Sequence, residues 1–115
     1  MSLQEIVVMM HSGEYGRAIS MLEGEASNES RTLAERTEYC RWLAECNEKV
    51  EDHKASGDWY LEAVKRILMQ KLDRASTAKQ AIPLCEKALE SYKAGGDPAD
   101  VLVAARLKQH FLGLR

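Results

Sequence analysis

"ASGDWYLEAV", residues 55–64, sets Gly57 and Asp58 ahead of Tyr60, Ala63, Val64, Ile67 and Leu68, which are spaced as one face of a helix. The same pairing stands at two other places. "HSGEYGRAI", residues 11–19, has Gly13-Glu14 before Tyr15, Ala18, Ile19 and, further on, Leu22. "AGGDPADVL", residues 94–102, has Gly96-Asp97 before Pro98. Glycine readily enters the left-handed conformation that ends a helix, and a carboxylate just beyond it caps the next helix or favours its positive end. Each pair therefore reads as the turn inside a helical hairpin. Intervals of 44 and 39 residues between the glycines predict three such hairpins in series.

The rest of the chain fills in around those turns. Leu3, Ile6, Val7 and Met10 recur at helical spacing and predict a first helix over about 2–12, with the second over about 14–26. "SNES" at 27–30 breaks the pattern, and Thr32 with Glu35 is a candidate capping box opening a long third helix, about 31–55. The fourth helix covers about 58–73 and the fifth about 77–94, the latter with Ala81, Cys85, Ala88, Leu89 and Tyr92 on its packing side. Pro83 lacks an N–H and crowds the Lys79 carbonyl, so the fifth helix either kinks there or becomes regular near Ile82. The sixth, about 98–112, has Asp97 as N-cap, Pro98 at the first position and Asp100 in the first turn. The expected fold class is all-α, a single domain of about six helices in three antiparallel αα-hairpins (about 2–26, 31–73 and 77–112), stacked right-handedly or closed into a bundle.

Composition bounds the functions this fold can serve. The 115 residues suffice for one modest core. The longest apolar run is Ile6–Met10, far short of the roughly 20 residues of a membrane span, and no basic-then-apolar leader precedes it. Cys40, Cys46 and Cys85 are an odd number without framework spacing, which suits reduced thiols and predicts a cytoplasmic protein. Residues 1–58 hold twelve acids against six bases, and residues 59–115 six acids against ten bases. That asymmetry suits head-to-tail association, although a merely solvated surface explains it as well. A net charge of −2 argues against a nucleic-acid binder; the alternative function kept in view is a nucleic-acid-associated helical protein using the basic second half, where Lys65, Arg66, Lys71 and Arg74 lie.

The residues quoted above carry a family resemblance. "GEYGRAISML" has a turn glycine, an aromatic two residues on (Tyr15), a small residue (Ala18) and an apolar one four later (Leu22). "GDWYLEAVKRI" repeats the series with one residue of slack, and "AIPLCEKALESY" looks like the second helix of a unit. In this the chain resembles a tetratricopeptide-repeat-type (TPR-like) domain. Its spacings of 44 and 39 depart from that family's unit of about 34 residues. The resemblance implies a non-enzymatic protein–protein interaction scaffold, in which the first helices of successive hairpins line a groove for a peptide or helix of another protein.

Motifs for chemistry are absent. No Gly-rich phosphate loop, metal-spaced Cys/His set or nucleophile motif occurs, so no enzyme, cofactor or metal is expected. Cys46 and His53 are seven residues apart, about 10 Å along a helix and too far for one metal ion. The acidic run Glu45, Glu48, Glu51 and Asp52 reads as a wet face. On the long third helix Arg36, Cys40, Leu43, Asn47, Val50 and Lys54 fall on one line, with Tyr39, Trp42 and Cys46 on a neighbouring one. By the resemblance, Arg36, Asn47 and Lys54 become candidates for holding a partner, with Trp42 and Trp59 as candidate anchors. The competing account is that the Arg and Lys stems snorkel while Asn47 bonds to a loop. Val8, Met9, Val103, Leu107 and Phe111 are candidate apolar surface at the two ends, through which copies of the chain could associate.

Overall fold

A computed structural model of the chain describes residues 3–114. Six helices follow one another: α1 (Leu3–His11), α2 (Tyr15–Ala26), α3 (Leu33–Lys49), α4 (His53–Met69), α5 (Arg74–Gly95) and α6 (Pro98–Leu112). No strand occurs among the described residues. Each helix packs on its neighbours in sequence, and α1 shares no substantial interface with α6. The result is an open meander, a slab of 39 × 33 × 19 Å and not a closed bundle.

Local chemistry sets most of the boundaries. Gly13 and Gly96 both take φ +80 and reverse the chain where the sequence predicts. The Asp97 side chain accepts from the Ala99 N–H at 2.9 Å, with Pro98 opening the helix. Glu14, by contrast, makes no side-chain cap. The capping box is complete: Thr32 Oγ1 accepts from the Glu35 N–H (3.1 Å), and Glu35 Oε1 accepts from the Thr32 N–H (3.0 Å).

The middle hairpin corrects the expectation drawn from Gly57. That glycine lies inside α4, not at a turn, and the chain reverses at Val50–Asp52 instead. Glu51 takes the left-handed conformation there (φ 62), and Asp52 caps α4 by accepting from the Ala55 N–H at 3.1 Å. The expected third helix of about 31–55 therefore stops at Lys49, and the fourth begins at His53. Lys71 plays the same part before α5 (φ 55), where Asp73 accepts from the Ser76 N–H at 2.8 Å. A glutamate and a lysine thus hold conformations that glycine would take more cheaply. Pro83 does not start a helix either; α5 runs through it without a break.

Gly57 has a different purpose. A β-carbon there would lie 2.4 Å from the ring of Tyr92, so the missing side chain lets α5 press its tyrosine against the α4 backbone. Ala44, Ala63, Ala78, Ala81 and Ala88 are fully buried along the same interfaces, and Leu22, Leu43, Ile67 and Phe111 supply the bulk. At roughly 25 cal/mol per Å2 of buried apolar surface, this continuous seam is the main stabilising term of the meander.

Candidate functional site

α3 is the central helix, and its outer face carries Glu38, Arg41, Glu45, Glu48 and Lys49, which share an arc of about 100° at 100° per residue. Clefts flank that face on both sides. One lies toward α1 and α2, between Met10, His11 and Tyr15 on one wall and Glu45, Cys46 and Lys49 on the other. The other lies toward α5. It is bounded by Thr37 and Arg41 of α3, Ile67 of α4, and Pro83, Leu84 and Lys87 of α5. A separate polar recess, which shares Lys87 with it, is formed by Glu48, Tyr60, Lys87, Glu90 and Ser91.

The floor of the recess is a hydrogen-bonded network. Ser91 Oγ donates to Glu48 Oε1 at 2.8 Å, and His53 Nδ1 faces the same oxygen at 3.3 Å. Ser56 Oγ donates to the Ala44 carbonyl (2.9 Å) and lies 3.2 Å from Ser91 Oγ. The serine meets the carboxylate and not the imidazole, so the contact that activates a serine nucleophile is missing. Burial pushes the Glu48 carboxyl up, but bonds from Ser91, His53 and Ser56 bring it below its ordinary value. A carboxylate depressed in the folded state adds stability above its unfolded pKa, about 4.3, and loses it as pH falls through the folded value. Urea unfolding is therefore expected to show stability declining as pH falls below about 5, with Glu48→Gln flattening part of the decline. An identical slope in the variant would deny Glu48 that role.

The residues singled out from the sequence do not converge. The shared line breaks because Lys54 belongs to α4; its Nζ pairs with Asp100 at 2.9 Å and Asp58 at 3.5 Å. Arg36 turns back to donate to the Ala26 carbonyl at 3.0 Å, closing the end of α2. Asn47 is 6 % exposed and donates to the Leu43 carbonyl within its own helix. Trp42 and Trp59 are half-buried against the core, and Trp42 meets Tyr39 edge to face at 6.2 Å. Of the end residues, Val8 (61 %) and Val103 (55 %) are exposed, but Met9 and Phe111 belong to the core and Leu107 packs against it. Lys65 and Arg66 both pair with Glu62, which neutralises part of the basic character of α4.

Sequence reasoning missed the outer face of α3. Its signal was the charged series at 38, 41, 45 and 48, at helical spacing, which reads as ordinary solvated surface until the clefts beside it are known. Desolvation pushes the thiols of Cys40, Cys46 and Cys85, all fully buried, up to about 11, so they are poor nucleophiles. Among the described residues no three His, Cys, Asp or Glu side chains gather as a metal site, and no helix is long and apolar enough to cross a membrane. Compared with protein-family models, curated proteins and solved structures, the chain finds no match.

Proposed function

We propose that this chain is a TPR-like, non-enzymatic interaction module whose α1–α3–α5 side receives a helix or extended segment of another protein. The observation that supports this reading is the pair of clefts flanking the outer face of α3, each walled by alternate helices of the meander. Consecutive packing of short helices gives a surface wider than one helix, and Thr37, Arg41 and Gln80 surround an apolar floor of Ile67, Pro83 and Leu84. A few polar groups around an apolar floor is the usual composition of a recognition cleft.

The test is site-specific photo-crosslinking in native extract, with the reactive side chain at Glu45 on this side and, as control, at exposed Lys65 on α4. A protein adduct formed from position 45, competed by excess unmodified chain and missing from position 65, is the expected result. Equal labelling from both positions, or adducts to nucleic acid alone, would remove the proposal.

A further inference from the structure

The polar recess beside the α3–α5 cleft has properties that the interaction reading does not require. Its walls bring Glu48 of α3 and Glu90 of α5 to one opening, beside Ser91 and Lys87. Tyr60 of α4 also lines it. Only 4 % of this residue is exposed, and its hydroxyl, which bonds to no protein group among the described residues, meets solvent in the recess. A phenol whose ring is buried and whose hydroxyl opens into the recess presents a fixed donor and acceptor to whatever enters it. Burial first, then Glu45, Glu48 and Glu90, push the phenol up to about 12 against the opposing Arg41, so it stays protonated and can both donate and accept.

The recess already holds a cation of its own. Lys87 Nζ sits 5.9 Å from the centre of the Tyr60 ring, and among the described residues no carboxylate lies within ion-pair distance of it. A tethered ammonium over an aromatic face beside carboxylates marks the place as one where positive charge is favoured. Lys87 is exposed on a flexible stem, so it can leave when a better cation arrives.

We propose that this recess binds the guanidinium group of an arginine side chain presented by the partner protein. The inference rests on the α1–α3–α5 side being the docking surface and adds the chemistry of what docks there. Guanidinium fits better than ammonium for three physical reasons: it is planar, more weakly hydrated, and offers several N–H donors in a fixed fork. Glu90 takes one side of that fork. Glu48, whose Oε1 is engaged by Ser91, offers its second oxygen, and the Tyr60 oxygen accepts a further N–H. The displaced Lys87 ammonium returns to solvent.

The experiment uses N-acetyl-arginine amide, with the uncharged near-isostere N-acetyl-citrulline amide as control, followed on the whole chain by residue-resolved NMR. The expected result is saturable shifts clustered at Tyr60, Glu90 and Ser91 with the arginine compound and none with citrulline. Glu90→Gln weakens binding roughly two- to fivefold, as loss of an exposed charge partner does, and Lys87→Met strengthens it by a similar factor. Tyr60→Phe keeps the buried ring and weakens binding as well. Two exposed neighbours on one helix thus act in opposite directions, which a general change in folding would not produce. Shifts that fail to saturate, equal shifts with citrulline, or weaker binding by Lys87→Met overturn the assignment. If the arginine compound fails while crosslinks from position 45 persist, the recess proposal falls and the docking side stands; if both fail, both fall.

Discussion

Gly57→Ala is expected to lower stability by about 2 kcal/mol, against the roughly 1 kcal/mol gain that helix propensity alone predicts for replacing a mid-helix glycine. The reason lies across the interface. A β-carbon at 57 would stand 2.4, 2.6 and 2.8 Å from three atoms of the Tyr92 ring, too close for any real contact. The ring cannot simply step aside. It is 3 % exposed, and its hydroxyl donates to Asp58 Oδ1 at 2.6 Å. Moving it breaks a charge-assisted bond and shifts the residue over which Lys54 Nζ rests at 5.6 Å. Overpacking a filled core costs about 1–3 kcal/mol, and that term outweighs the propensity gain. The measurement is urea unfolding of Gly57→Ala beside Gly24→Ala, a helical glycine of α2 whose β-carbon would meet open space. Gly24→Ala is expected to stabilise by about 0.5–1 kcal/mol. Adding Tyr92→Leu to Gly57→Ala gives a double-mutant cycle, and strong positive coupling is expected because the smaller side chain removes the collision. If both glycine variants gain stability alike, the close approach of α4 and α5 is not as described.

That glycine also shows how far the sequence could be read. Gly13, Gly96, the Thr32–Glu35 box and Asp97-Pro98 are local devices, each decided by a few adjacent residues, and their structural outcome follows from those residues alone. Gly57 carries the same signature for another reason: its neighbour is Tyr92, thirty-five residues away in sequence, and nothing near position 57 announces it. The real turn of that hairpin is quiet because Glu51 holds a positive φ without the glycine that would have marked it. The candidate site misled for a related reason. Periodicity divides α3 into faces but does not say which face is covered when helices lie on both sides. Asn47 and Arg36 therefore resembled polar groups in a groove, while their partners, the carbonyls of Leu43 and Ala26, were invisible in the residue pattern. The face that opens on the clefts is the one made of charges, and a charged stripe has no signature that separates recognition from solvation.

Pro83→Ala is expected to raise stability by about 2–3 kcal/mol, the converse case of a local rule left unopposed. Pro83 is the tenth residue of α5, deep inside a helix of 22 residues, and has no N–H to give the Lys79 carbonyl. Alanine restores that bond and removes the ring that crowds the preceding turn. Unlike position 57, this one faces the cleft and is exposed, so no packed neighbour stands to be lost or struck. In urea the midpoint should move up with an unchanged slope, since the surface exposed on unfolding is the same. What could reverse the sign is the path of the helix itself. Ile82, Leu84 and Cys85 beside the proline are all buried, so a change in the path of the helix at Pro83 moves core residues. Loss of stability in Pro83→Ala would show that the core depends on the helix path the proline sets. A gain would leave the proline costing the fold stability at the wall of a cleft. Binding measured with the same variant then separates the two: a chain that folds more firmly but crosslinks less from position 45 places the proline in recognition.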